Sequence, residues 1–217
     1  TTLNKLSEKV VEYHSGAIVD TGDFKDGQLE EALFNEPSSL AIDHKGNLYV
    51  SDTGNQRIRY IDFTRNIVST VAGGGSLHSE SLYVATGYKD GDALEARFAN
   101  PSGINLASDG TLLIADSNNH VIRVLTDGKV MTLAGQSELE GKFDGLMSTG
   151  QFSRPTDVLE RTDGSIVITD SENNKVRVIQ RYTVENHTED GQIHVFVNGK
   201  LVKSDVKTKK IDNELYV

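Results

Sequence analysis

The 217-residue chain contains no cysteine. Disulfides, thiolate metal sites and cysteine nucleophiles are therefore excluded together. No run approaches the roughly 20 apolar residues that a helix needs to cross a bilayer, so membrane insertion by a helix is not expected. Positive charge is in deficit: 22 Lys and Arg face 32 Asp and Glu, a net charge of -10. Phosphate contacts need clustered Lys and Arg, so no nucleic-acid partner is expected. The chain starts at Thr1 without the charged segment and apolar run of a secretory leader. Such a leader is expected to have been removed or never to have been in this chain. What remains, 36% hydrophobic and 25% charged residues, is ordinary for a folded soluble protein and excludes disorder and collagen-like structure. The length fits one large domain, or one domain with a small appendage.

Motifs of chemistry are missing as well. The histidines, at 14, 44, 78, 120, 187 and 194, show no His-x-His or His-Glu-x-x-His spacing, so no metal site is expected. The aspartates at 52, 116 and 170 sit in turns shorter than a twelve-residue calcium loop. Gly-x-Ser-x-Gly is absent, which removes the usual serine elbow. The three glycines at 73–75 are not followed by a helix or a Lys-Ser/Thr pair, as a phosphate cradle requires. No catalytic residue and no cofactor is assigned.

What is present is repetition, the feature to seek before any other. Residues 34–61 (FNEPSSLAIDHKGNLYVSDTGNQRIRYI), 98–125 (FANPSGINLASDGTLLIADSNNHVIRVL) and 152–179 (FSRPTDVLERTDGSIVITDSENNKVRVI) read alike. In each, a Phe stands three residues before a Pro, at 37, 101 and 155, and an Asp fifteen residues after it, at 52, 116 and 170. An Arg follows the Asp by seven, at 59, 123 and 177. An Asp-Gly pair, at 26, 90 and 144, lies upstream of each Phe, and the first two copies end in strands running into Ala-Gly. The period is 64 and then 54 residues, the excess falling at 76–86, where a repeat array carries an insertion in a loop.

Each copy reads as four short strands. In the first copy these cover 39–43, 48–51, 57–61 and 68–72, rich in Val, Ile, Leu and Tyr and punctuated by Gly, Asn and Asp. No helical periodicity spans ten residues. Four strands per repeat suggest a blade of a β-propeller, so the fold class is all-β. The Phe is expected between neighbouring blades, and the Pro to fix the entry to the inner strand. Asp52, Asn55 and Arg59, with Asp116, Asn119 and Arg123 and with Asp170, Asn173 and Arg177, are read as blade-building positions. Asp and Asn side chains bond the backbone two residues on and tolerate left-handed conformations. A guanidinium bridges a carboxylate and carbonyls.

The pattern Gly-x-Leu-Tyr-Val-x-Asp-x-x-Asn-x-x-Ile-Arg, carried by 47–59, 111–123 and 165–177, resembles the NHL repeat, and the stretch from Thr70 through Asp90-Gly91 to Pro101 is similar to NHL arrays of bacterial secreted proteins. The resemblance covers about residues 22–180. The middle copy holds the NHL-type pair Asn119-His120, where the others have Gln56 and Lys175 nearby. Some members of that family are zinc-dependent lyases, and some animal members bind RNA through a basic face. The acidic charge argues against the second.

The tail differs. Residues 191–217 read as strand, Asn198-Gly199 turn, strand and further strand. Five Lys against three acids there give +2, against -12 for residues 1–190. This stretch resembles the opening of the copper-amine-oxidase N-terminal-like domain of bacterial surface proteins, without implying copper.

The expected organisation is a partial blade at 1–23, NHL blades at 24–180, and a β segment at 181–217. Closed propellers have about four to eight blades, and three whole copies fall short. The termini or another chain would then close the ring, and homo-oligomerisation is expected if one chain does not close it. The Asp-x-x-Asn turns and the inter-blade loops share one rim by strand alternation. Loops on a rigid scaffold carry binding residues, so His78, Tyr83, Tyr88 and His120 are the candidates there. The expected function is a non-catalytic binding or scaffold module, secreted or on a cell surface, that engages a protein, peptide or glycan. The alternative is a hydrolase or lyase with its site at the propeller axis.

Overall fold

The computed structural model describes residues 25–75 and 84–180, and beyond them the backbone of strands within 184–215. In chain order the strands are β1 (Gly27–Gln28), β2 (Pro37–Ile42), β3 (Leu48–Asp52), β4 (Arg57–Asp62), β5 (Ile67–Ala72), β6 (Gly91–Asp92), β7 (Pro101–Leu106), β8 (Leu112–Asp116), β9 (Val121–Thr126), β10 (Lys129–Gly135), β11 (Pro155–Glu160), β12 (Ile166–Asp170), β13 (Lys175–Ile179), β14 (Val184–Glu189), β15 (Gln192–Val197), β16 (Lys200–Ser204), β17 (Lys210–Ile211) and β18 (Glu214–Leu215).

The first repeat folds as an antiparallel sheet in the order β1-β5-β4-β3-β2 and the second as β6-β10-β9-β8-β7. Each is thus a four-stranded meander with a two-residue strand added outside. The third is β11-β12-β13 among the described residues. The three inner strands β2, β7 and β11 are neighbours in that order. The fold is all-β and of propeller type.

Local chemistry explains the meander. The β2–β3 turn closes with Gly46 at φ 84 and its N–H donating to the Asp43 carbonyl. Asp43 Oδ1 also accepts from the Lys45 and Asn47 N–H groups, a turn that the short side chain of Asp favours. Gly110 and Gly164 repeat the left-handed position. Between β3 and β4 a single 3-10 turn, Thr53–Asn55, ends on left-handed Gln56, and the equivalent residues in the other repeats are His120 and Asn174.

The apolar face of each sheet packs on the next. Ala41, Ile58 and Ala72 of the first blade meet Phe98, Ile104, Leu112, Ile114 and Val130 of the second, with Tyr49 and Val71 against the cluster. Fully burying one Ile or Phe stabilises by about 1.5–3 kcal/mol, so this contact outweighs any single polar bond around it. Hydroxyl groups fix the register between blades. Thr53 Oγ1 donates to the Pro101 carbonyl at 2.7 Å, and Ser117 Oγ donates to the Pro155 carbonyl at 2.6 Å. Gly103 lets β7 and β11 approach: a Cβ there would lie 2.3 Å from Asp157 Oδ1 and 2.7 Å from the Thr156 carbonyl.

The C-terminal strands form a separate unit from Ile179 onward. In it β14, β15 and β16 make a three-stranded antiparallel sheet and β17 pairs with β18. Val197 pairs with Lys200, so two residues, Asn198 and Gly199, connect β15 to β16.

Candidate functional site

Among the described residues six charged side chains are buried: Asp52, Arg57, Arg59, Asp116, Arg123 and Asp170. Five of them belong to one network repeated in each blade. In the second, Asp116 Oδ1 accepts from the Ala99 N–H at 2.7 Å, and Oδ2 accepts from Asn119 Nδ2 at 2.8 Å and Arg123 Nη1 at 2.7 Å. Arg123 donates further to the Arg97 and Lys89 carbonyls and to Asp90. The first blade places Asp52, Asn55, Arg59 and Asp26 in the same arrangement, with the Leu33 and Lys25 carbonyls. The third uses Asp170, Asn173, Arg177 and Asp144. Each guanidinium also lies over the repeat's Phe, with 4.9 Å from Arg59 to the Phe34 centroid and 5.3 Å for both Arg123–Phe98 and Arg177–Phe152. Arg57, the sixth, donates to the Asn55 and Gly75 carbonyls.

The turn chemistry differs from the sequence expectation in one respect. Neither Asp52 nor its equivalents cap the 3-10 turn that follows. Their oxygens are taken by the strand-entry N–H, the Asn amide and the Arg. The left-handed residue is the one after the motif Asn. Burial pushes the Asp116 carboxyl up to about 6, against the pull of Arg123, Asn119 and the Ala99 N–H. Burial likewise raises Asp52.

The partner that sequence reasoning left without a role is the upstream Asp of each Asp-Gly pair. Asp90 Oδ1 takes Arg123, and its other oxygen accepts the Thr132 N–H of β10 at 3.1 Å. Asp26 does the same with Arg59 and Thr70 of β5. The signal was visible as an Asp-Gly pair in each copy, followed in the first two by a fourth-strand Thr. Its meaning needed the fold, because more than 30 residues separate Asp from Arg.

Of the rim candidates, His78 and Tyr83 lie outside the described residues. Tyr88 is partly exposed. Its hydroxyl pairs with Thr132 Oγ1 at 2.7 Å and its ring lies 4.8 Å from the Arg123 guanidinium carbon. His120 is half-buried and its Nδ1 accepts the Arg154 N–H at 3.1 Å. Neither residue lines the two clefts described below. Among the described residues no cluster of three or more His, Asp and Glu is arranged to hold a metal ion.

A cleft of about 680 Å³ lies between the first two blades and went unnoticed in the sequence. It opens at the strand ends carrying the β7–β8 and β9–β10 turns, opposite the Asp-x-x-Asn turns. Tyr49, Val71, Leu94 and Leu125 form its apolar wall, and Asp92, Asp109 and Asp127 stand in its lining. Exposed Leu94 projects from the 3-10 turn Ala93–Glu95. Burial raises the Tyr49 pKa, and the charge of Asp43 raises it further, so the hydroxyl stays neutral in the physiological range. Residues from both blades and three turns meet here, which no local sequence window announces. A smaller cleft of about 480 Å³ lies at the outer edge of the first blade, around Asn47, Tyr60 and Asp62. Beside it the Asp43 carboxyl is pushed up by burial. The hydrogen bonds donated by Tyr60, the Asn47 and Lys45 N–H groups and the Asn47 amide outweigh that and hold it at about 2.

Comparison with known proteins agrees with this geometry. The NHL repeat family matches residues 34–59 and 98–125. The third copy, outside that match, builds the same network from the same positions. Protein SUPPRESSOR OF QUENCHING 1, chloroplastic, of Arabidopsis thaliana is 32% identical over 222 residues, covering 74% of this chain and 21% of that protein. Human NHL repeat-containing protein 2 is 27% identical, covering 81% of this chain and 26% of that protein. Among solved structures, an auxiliary nutrient binding protein of Bacteroides thetaiotaomicron superposes with a TM-score of 0.57 at 22% identity, over 69% of this chain and 38% of that one. Its counterpart from Bacteroides ovatus gives 0.54 at 24%, over 65% and 36%. The chain thus carries NHL repeats and has a β-propeller-like fold, and it spans between a fifth and two fifths of the length of these proteins.

Proposed function

We propose that the chain is a non-catalytic binding or scaffold module, secreted or displayed on a bacterial cell surface, that holds a glycan or peptide in the cleft between its first two blades. One observation carries the reading. Among the described residues the buried charged side chains are all engaged in building the blades, and none of them lines either cleft. The larger cleft offers an apolar wall with carboxylates beside it. That combination suits a ligand rich in hydrogen-bond donors with one apolar face: a sugar ring, or the stem and head of a basic side chain. The secreted or surface location is supported by the Bacteroides auxiliary nutrient binding proteins that share the fold. The hairpin at β15 and β16 is in keeping with a tail that opens a copper-amine-oxidase N-terminal-like domain.

The test is a screen of the purified chain against glycan arrays and, separately, basic and acidic peptide libraries. Binding to glycans or basic peptides is expected, weakened tenfold or more by Leu94→Glu. A ligand whose affinity is indifferent to that substitution, or one that is turned over, overturns the proposal.

A further inference from the structure

The repeat supplies its own control for the cleft between the first two blades. Where the second blade lines that cleft, it departs from the other copies. Leu94 is 62% exposed, whereas the same place holds Glu30 in the first copy and Ser148 in the third. Asp92 stands where the others have Gln28 and Leu146. Asp109 stands where the first copy has Lys45, and the third keeps an acid there, Asp163. Asp127 replaces Phe63, which packs on the Val50, Ile61 and Val68 core of the first blade. Positions that only build a blade repeat, as the Asp, Asn and Arg of the buried network do. An apolar and several acidic departures around one cavity serve something other than the blade.

The cleft is held from both sides. The Ala93 N–H donates to the Gly128 carbonyl, and the Ala93 carbonyl accepts the Gly73 N–H. The 3-10 turn that carries Leu94 is thereby tied to the β9–β10 hairpin and to the residue after β5. Asp127 and Gly128 are both left-handed, a two-residue hairpin that puts Asp127 at its tip. On the opposite wall the Tyr49 ring lies 4.9 Å from that of Tyr60, at 51°. The Tyr60 hydroxyl donates to Asp43 Oδ2 at 2.7 Å and accepts from Asn47 Nδ2 at 2.8 Å. The aromatic platform is thus fixed before any ligand arrives.

Charge selects the occupant. Three carboxylates line the cleft, and no Lys, Arg or His does. Asp109 Oδ1 accepts the Thr111 N–H, whereas the side chains of Asp92 and Asp127 take no hydrogen bond and no ion pair among the described residues. Lys129 pairs with Asp92 across the β6–β10 ladder, yet no ion pair joins them. Sugar hydroxyls donate and accept in equal measure, so a lining dominated by acceptors leaves part of a sugar unmatched. A guanidinium only donates, in a planar fork shaped for carboxylates. We propose that the cleft takes an arginine side chain presented by a protein partner. This rests on the cleft being the ligand site and narrows that site to one chemistry. Val71, Leu94 and Leu125 cover the methylene stem, the Tyr49 face takes the guanidinium plane, and the carboxylates accept its N–H groups. The volume of about 680 Å³ also has room for residues flanking the arginine. The chain's net charge of -10 draws a basic segment toward it.

The test is an NMR titration of the full chain with acetyl-Gly-Arg-Gly-amide, its citrulline and glutamate forms, and methyl glucoside. The arginine peptide is expected to shift the amide signals of Thr70, Leu94, Gly110, Thr126 and Gly128. The citrulline form, which keeps the shape and loses the charge, should bind about tenfold more weakly. Asp92→Asn and Asp127→Asn, both exposed and isosteric, should each weaken the arginine peptide about two- to fivefold. Asp163→Asn, the corresponding change on the third blade, should leave it unaltered. Equal affinity for the citrulline form overturns the proposal, as does an Asp163→Asn effect as large as that of Asp127→Asn, which would mark bulk attraction. Shifts at these amides from methyl glucoside alone keep the cleft as a ligand site and overturn the arginine assignment. No shift there with any probe at tens of millimolar overturns both.

Discussion

Replacing Arg123 by alanine probes the network that each blade is built on. Arg123 and Asp116 are both fully buried, and the ion pair between them is 2.7 Å long. The substitution leaves Asp116 facing only the Ala99 N–H and the Asn119 amide, and it strips donors from the Lys89 and Arg97 carbonyls. Removing one member of a buried pair costs about 3–5 kcal/mol, because the other is left as an uncompensated charge. The ring of Phe98 and that of Tyr88 also lose the cation between them. For a chain of this size each kcal/mol moves the melting temperature by about 2–4 °C, so a fall on the order of 10 °C is expected. Asp116→Asn alone should cost less, since an amide keeps an acceptor for Arg123 without a buried charge. Arg177→Ala should also cost less, because Arg177 is 12% exposed and its partner Asp144 89%. Urea and thermal unfolding followed by circular dichroism would measure all three. If Arg123→Ala shifted stability by less than about 1 kcal/mol, or if Arg177→Ala were the more damaging, the network would not be what holds a blade together.

Two further outcomes follow from local geometry. Gly103→Ala should destabilise by about 1–3 kcal/mol through overpacking, because its Cβ meets the backbone of Asp157 and Thr156; an unaltered urea midpoint would show that the second and third blades are not in such close approach. Asp43 is held at about 2, below its ordinary value near 3.8, so its contribution to stability is present above pH 4 and is lost as the pH falls from there toward 2. An NMR titration of the carboxyl carbon should find a midpoint near 2 that rises in Tyr60→Phe; a midpoint of 3.5 or higher in the parent chain would refute the assignment of its donors.

Strand positions were legible because they are set by residues close in sequence. The turn glycines 46, 110 and 164, the Asx bonds at Asp43, Asp109 and Asp163, and the alternating apolar residues between them determine where a strand starts and stops. The second and third strands of the first copy, read as 48–51 and 57–61, are observed as Leu48–Asp52 and Arg57–Asp62. The seven-residue step from Asp to Arg likewise spans one hairpin, so the pairing of Asp52 with Arg59 could be anticipated from repetition alone. The outermost strands β1 and β6 could not. Each is two residues long and exists only because β5 or β10 offers an edge to it.

The amino-acid sequence by itself determined the repeat, the four-stranded blade and the residues that staple it, since these rest on spacing within about 35 residues and on turn chemistry that acts locally. Only the tertiary structure decided what those blades leave over. Whether an apolar residue is core or surface depends on a neighbour that the residue does not encode: Ile104 is buried and Leu40, at the same place in its repeat, is not. The cleft between the first two blades is of the same kind, formed by Tyr49 and Val71 on one side and Leu94, Leu125 and three aspartates on the other. Side chains from separate turns converge there only when one sheet is laid on the next, and a long-range packing of that sort has no signature in any single stretch of chain.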